Sequence, residues 1–341
     1  MTRLGALDGL RAVAVLTVML SHAGLGHIVP GGFGVTIFFF LSGYLITTLL
    51  VKEWKDTENI DFKAFYLRRS VRILPPMFIA IAIAVTLSSV GLGKYLNYSG
   101  LFWDFVFLSN YAPLFGNGSQ IPIPLWSLAI EEHFYLIFPL LFFTIIKRQT
   151  PSNVALICLI LCAFVLLARI IHVSFTGPVE DIYYWSHTRI DSILFGCILA
   201  TWNNPATVDR VRIGSGIGWA LLGSILIIIT FVVRDPAFRE TWRYTIQGVG
   251  LLLAFNYALR TSGIVSTMLK NKYLRMVADL SYFLYLIHVP IYLAASYLPL
   301  PRIVQYVVGI FFAFLLAAIV RLLVEQPLLR WRKSYEARQD I

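Results

Sequence analysis

LDGLRAVAVLTVMLSHAG, residues 7–24, decides the class of this chain. The run is apolar and nearly long enough to cross a bilayer, yet it holds Arg11 and His22. Eleven residues at 100° each return to within about 20° of the starting direction while rising about 16–17 Å. On a helix the two side chains therefore share a face, one near a membrane surface and the other well past mid-depth. Ionisable groups at such depth are costly, and they line interiors, pathways or reaction sites rather than lipid. Asp8 and Arg11 interrupt the run and no small-x-small site follows His22, so a secretory signal is excluded.

Outward from this segment the pattern repeats. Hydrophobic residues make up 58% of the chain and charged residues 13%, which places it among all-α polytopic membrane proteins. About ten spans are expected, at approximately 8–28, 33–51, 73–91, 126–146, 153–175, 188–202, 214–233, 242–259, 278–297 and 303–329, the sixth being the shortest. With a cytoplasmic N-terminus, inside segments receive Arg3; Lys52, Lys55, Lys63, Arg68, Arg69 and Arg72; Lys147 and Arg148; Arg210 and Arg212; Arg260, Lys270, Lys272 and Arg275; and Arg330, Arg332, Lys333 and Arg338. Outside segments receive only Lys94, Arg234, Arg239, Arg243 and Arg302. That asymmetry follows the positive-inside rule. The net charge of +10 is thus mostly topology, and a nucleic-acid partner is not implied. Cys158, Cys162 and Cys197 fall inside apolar spans and read as buried small hydrophobes.

Residues 1–341 read as a single transmembrane domain with no soluble domain. Two segments outside the spans stand apart. Residues 60–72, IDFKAFYLRRSVR, place Phe62, Phe65 and Tyr66 on one stripe with basic residues toward the end, as in a cytoplasmic amphipathic surface helix. Residues 92–125 form a long outside connection, rich in aromatic, Asn, Gly and Pro residues, of a length that is usually functional.

Several side chains have the means for chemistry. His22 is a candidate general base, because imidazole titrates near working pH. Arg11 either binds a phosphate or pairs with Asp8 one turn away. Arg69 and Arg72, with Arg68 beside them, suit a polyphosphate ligand through forked guanidinium contacts, or form an ordinary juxtamembrane basic patch. Gly31, Gly32 and Gly34 open the second span where backbone N–H groups point outward, while Ser42 and Gly43 read as helix-packing positions. PLWSLAIEEHFY opens the fourth span with Ser127 as the expected N-cap and places Glu131 and Glu132 just inside. Glu131 is the chosen carboxylate to orient His22 and raise its basicity, with Glu132 and His133 as substitutes. Arg189 either holds an acceptor phosphate or pairs with Glu131, and Asp191 lies two residues on. Ser281, Tyr285 and His288 form a polar stripe through the ninth span, where His288 is a second acid or base, a structural contact or a positioning group. Arg321 and Glu325 read as an internal ion pair. Arg169 has no evident place.

Together these segments resemble acyltransferase family 3, integral-membrane enzymes that acylate sugars and other cell-envelope molecules. The matching elements run in order: Arg11-x10-His22; Gly34-Val-x-x-Phe-Phe with Ser42-Gly43-Tyr44; and Arg69-x-x-Arg72. They continue with Trp126-Ser127-Leu and Glu131, Arg189-x-Asp191 with Gly196, Ser281-Tyr282 with His288, and Glu325-x-Pro327. Each is modest alone, and their ordered combination is specific. The resemblance implies ten helices in a bacterial inner membrane with cytoplasmic termini. It also implies an acyl-CoA donor, acetyl-CoA in the simplest case, held from the cytoplasm by Arg68, Arg69, Arg72 and Arg11, without a metal. The acceptor would be a hydroxyl of an envelope glycan or lipid-linked sugar, with His22 catalytic. Trp126, Arg189, Asp191 and His288 are the candidate acceptor-binding residues. The competing reading is a transporter or flippase of an anionic or lipid-linked sugar, with His22, Glu131 and His288 as a proton relay. It expects internal repetition, and none is visible.

Overall fold

The apolar runs fold as helices throughout the computed structural model, which describes residues 5–116, 118–206, 216–261 and 263–339. Among the described residues no strand occurs. Arg3, Arg210 and Arg212 of the charge pattern lie outside them. The long helices are α1 (Gly5–Leu20), α2 (Gly31–Thr57), α3 (Phe62–Ser89), α4 (Leu125–Ile146), α5 (Pro151–Thr176), α6 (Asp191–Trp202), α7 (Ile217–Val232), α8 (Trp242–Arg260), α9 (Lys272–Ser296), α10 (Arg302–Val320) and α11 (Gln326–Gln339). Seven helical segments are long and apolar enough to cross a bilayer, while α6 and α7 are shorter apolar helices. The expected class holds, and the count of ten spans is not established.

Boundaries moved in three places, each for a local reason. The expected surface helix over 60–72 is the first part of α3, a single 28-residue helix. Asp61 caps it by accepting from Ala64 N at 2.9 Å, and it continues through Pro75 and Pro76. Helix α4 begins at Leu125, so Ser127 is buried inside its first turn instead of capping it. Pro124 presets the backbone for that earlier start. The sixth span is broken: a single turn at Ser186–Arg189 precedes α6.

By internal contacts the chain forms two compact units. The first comprises Met1–Ala14, Gly32–Ile60 and Trp126–Arg275; the second comprises Val15–Gly31, Asp61–Leu125 and Met276–Ile341. In the first, α6 is buried on every side from Asp191 to Thr201, which explains why it lacks an amphipathic pattern. Its backbone touches that of α2. A Cβ on Gly43 would lie 1.9 Å from Ile193 O, and one on Gly196 would lie 2.0 Å from Phe40 O. Small residues at both crossing points permit that approach. The three cysteines are free and buried here. The second unit contains a kink over Ser21–Leu25 after α1, where Ala23 and Gly24 leave helical geometry, and a π-helical turn at Arg321–Glu325 between α10 and α11.

Candidate active site

In the second unit, the kink after α1 carries His22. Gly24 has φ 88°, a conformation glycine adopts without a side-chain clash. A Cβ there would lie 2.8 Å from the Tyr306 ring. His22 is exposed, whereas His288 on α9 is fully buried. The two rings meet edge to face, with centroids 5.0 Å apart.

Hydrogen-bond partners fix the proton positions. His288 Nδ1 lies 2.8 Å from Tyr285 O and 3.2 Å from Leu284 O. Carbonyls only accept, so Nδ1 carries the hydrogen and the neutral ring presents a lone pair at Nε2. His22 Nδ1 lies 3.0 Å from Val18 O and 3.4 Å from that His288 Nε2. It faces two acceptors and is therefore the protonated nitrogen. In the neutral ring this puts the lone pair on His22 Nε2, the tautomer a general base requires.

Tyr292 continues the stripe one turn beyond His288, at a ring distance of 5.8 Å. Its hydroxyl is buried with no hydrogen-bond partner. Sequence reading missed it, although the spacing Tyr285, His288, Tyr292 was available. Toward the start of α9, Asp279 meets Arg321 of the turn after α10 at 3.6 Å, and Arg321 bridges Glu325 at 3.1 Å, so the expected ion pair is present with a third member. Arg72 is close enough to act electrostatically on Glu325. Asp279 and His288 are nine positions apart on α9, about 13–14 Å along its axis. Arg69 lies 5.8 Å over the Phe65 ring, on the same α3 segment as Arg68.

The first unit gathers most of the other candidates. Glu131 accepts from Ser42 Oγ at 2.9 Å and from Tyr135 Oη at 3.0 Å, so Ser42 serves a carboxylate as well as helix packing. His133 Nδ1 lies 2.7 Å from Ser186 Oγ. Asp191 pairs with Arg169 at 2.8 Å, both side chains fully buried. That gives Arg169 its place. Trp126 packs on Tyr183, Tyr184 and Phe39 at ring distances of 4.7, 5.2 and 6.3 Å.

Arg189 is fully buried beside this aromatic group. Its guanidinium lies 3.7 Å from the Tyr244 ring centroid, 5.2 Å from Tyr183 and 5.7 Å from Phe39. Nη2 donates to Thr36 Oγ at 3.2 Å, whereas Nε and Nη1 have no hydrogen-bond partner. A buried donor left unpaired costs about 1–3 kcal/mol, more when charged. Tyr183 and Tyr244 gave no sequence signal because they come from separate segments and meet only in the fold.

A family model described as an acyltransferase domain matches residues 4–322. The O-acetyltransferase OatA of Staphylococcus aureus strain NCTC 8325 is 29% identical over 350 residues, covering 95% of this chain and 57% of that protein. The putative O-acetyltransferases SAR0937 of strain MRSA252 and SACOL0978 of strain COL are each 30% identical over 370 residues, covering 96% of this chain and 59% of theirs. The chain thus spans somewhat over half the length of these curated relatives. No solved structure matches it.

Proposed function

The chain belongs to the acyltransferase family 3 of membrane proteins, and from that premise we propose that it moves an acetyl group from cytoplasmic acetyl-CoA to a hydroxyl of an envelope glycan or its lipid-linked precursor. The observation that carries this reading is the His22–His288 pair, whose hydrogen bonds place the hydrogen of a neutral His22 ring on Nδ1 and its lone pair on Nε2. In the proposed step His22 Nε2 takes the acceptor hydroxyl proton as the oxygen attacks the thioester carbonyl. The carbon–sulfur bond then breaks, and the CoA thiolate takes that proton back from His22, giving an acetyl ester and free CoA. His288 is a positioning residue that accepts from His22 Nδ1–H. The unpartnered Tyr292 hydroxyl is our candidate donor to the oxyanion. Arg69 and Arg72, with Arg68 beside them, are the proposed holders of the donor phosphates. The distance along α9 from the Asp279 level to His288 suits a pantetheine arm reaching from the phosphates to the base. Glu131, anchored by Ser42 and Tyr135, is kept as the candidate carboxylate of the first unit. The relatives' names, O-acetyltransferases, support a hydroxyl as acceptor; the glycan and the bacterial inner membrane are part of the proposal.

The test is transfer of labelled acetyl from acetyl-CoA by purified protein in lipid nanodiscs. His22→Ala is expected to lower kcat by ~10²–10⁴ with an unchanged melting temperature. His288→Ala should lower kcat and shift the pH–rate profile, and His288→Gln, which retains an acceptor, should restore part of both. Near-wild-type transfer by His22→Ala would reject the assignment. Counterflow of a sugar phosphate without acetyl transfer would favour the transporter reading instead.

A further inference from the structure

The first unit contains a cation that its own side chains do not complete. Arg189 is fully buried, and its Nε and both hydrogens of Nη1 have no acceptor. Nη2 finds only Thr36 Oγ, at 3.2 Å, and that hydroxyl is itself engaged with Gly32 O and Gln247 Oε1 at 3.2 and 3.3 Å. Tyr244 offers the guanidinium a ring face, which stabilises a cation but accepts none of its in-plane N–H bonds. The charges around it do not cancel. Asp191 is taken by Arg169, and Glu240 lies 3.6 Å from Arg243. Among the described residues, two pairs and one remaining arginine leave an excess of one positive charge.

The aromatic surroundings extend outward from the cation. Tyr183 touches both Arg189 and Trp126, and Trp126 in turn meets Tyr184, which is exposed. Aromatic faces of this kind stack on the apolar face of a sugar ring, while a neighbouring guanidinium reads an anionic substituent. At the rim, a Cβ on Gly32 would lie 3.1 Å from Tyr183 Oη, so the glycine keeps that side of the tyrosine clear.

We propose that Arg189 and the rings of Tyr183, Tyr244 and Trp126 form the acceptor subsite and receive one anionic group, carboxylate or phosphate, carried by the sugar that is acylated. The proposal rests on the reading above that the acceptor is a glycan hydroxyl, and it narrows that acceptor to an acidic sugar. The anion supplies the missing acceptors at Nε and Nη1 and removes the excess charge. With the anion docked at Arg189, sugars differing only in that group are told apart.

Binding and transfer are read separately. Wild-type protein in nanodiscs is titrated calorimetrically with a methyl hexoside, a hexuronate and a hexose 1-phosphate, and the same three are offered as acceptors with labelled acetyl-CoA. Tenfold or greater preference for one acidic sugar over the neutral one supports the subsite and identifies carboxylate or phosphate as the group read. Arg189→Met is expected to abolish the preference while holding or raising the melting temperature, since it removes an unpaired buried charge. Arg189→Lys keeps the charge and should retain part of the preference. Equal binding of all three sugars overturns the subsite, as does a preference that survives Arg189→Met. So does a fall in melting temperature in both variants with the preference unchanged, which would make Arg189 a structural cation. Anion preference without acetyl transfer to any sugar would leave the subsite standing and sink the proposed reaction. Equal transfer to all three would do the reverse.

Discussion

Arg169 and Arg189 are both fully buried in the first unit, and they differ in what the fold gives them. Arg169 donates from Nε to Thr241 O at 2.9 Å, from Nη1 to Thr188 O at 2.6 Å and from Nη2 to Asp191 at 2.8 Å. Asp191 accepts further bonds from Ser192 N and Thr245 Oγ. That cluster is closed and needs nothing from outside. Arg189 has a ring face and a single hydroxyl. A closed buried ion pair fixes a geometry, whereas an open one is a cost that structure alone does not repay. The same contrast separates Arg321, held by Glu325 and Asp279, from His22, whose Nε2 is free to react.

The sharpest way to break this comparison is to open the closed cluster. Asp191→Asn leaves Arg169 charged and buried without its counterion. Breaking a buried pair by removing one partner costs ~3–5 kcal/mol, so a large fall in melting temperature is expected, with acetyl transfer per folded molecule largely kept. Scanning fluorimetry of the detergent-solubilised protein measures it. A melting temperature equal to wild type would mean that satisfied hydrogen bonds do not distinguish the two arginines.

Asp104 sharpens the comparison from the acidic side. It is buried at 4% exposure in the connection between α3 and α4, with Oδ2 lacking a partner. Burial pushes its carboxyl up from 3.8 to about 6, against a smaller lowering by the Ser119 hydroxyl. The folded state therefore binds this proton more tightly than the unfolded chain does. Its contribution to stability is present below pH ~4 and is lost as pH rises through about 6. The shift of roughly two units bounds the effect at ~3 kcal/mol. Asp104→Asn should accordingly raise the melting temperature at pH 8 and leave it unchanged at pH 4. An equal effect at both values would show that the carboxyl does not titrate between them.

Class, charge asymmetry and most helix positions were legible in the sequence, because the solvent of a span is uniform and period and length suffice to read it. The sixth span was placed within three residues of α6, but its internal contacts were not legible. Buried on every side, it carries no stripe, and the single turn before Ile190 leaves no mark in hydropathy. Within the site, His22 and His288 could each be named, since a histidine in an apolar helix stands out. Their contact could not, because it pairs positions from opposite ends of the chain. Arg169 was unreadable for the related reason that its partners come from two segments remote from it in sequence, Thr188 with Asp191 and Thr241. Ser42 was read as packing alone because its tie to Glu131 joins two helices remote in sequence.

The smallest expected effect tests whether the arginines of α3 belong with the open groups or the closed ones. Arg72 lies within the field of Glu325, which Arg321 already holds at 3.1 Å. If Arg72 receives a donor phosphate, Glu325 competes with that phosphate for the same guanidinium. Glu325→Gln removes the competing charge while keeping a similar shape. Interactions of such half-exposed groups are worth ~0.2–1 kcal/mol, so KM for acetyl-CoA should fall about 1.5- to 5-fold at low salt, with the gain fading as salt screens it. Arg72→Ala should move KM the opposite way by a larger factor, with kcat little changed. If Glu325→Gln instead raises KM as Arg72→Ala does, the carboxylate is orienting the arginine rather than competing for it. The α3 cluster would then be closed in the sense in which Arg169 is closed.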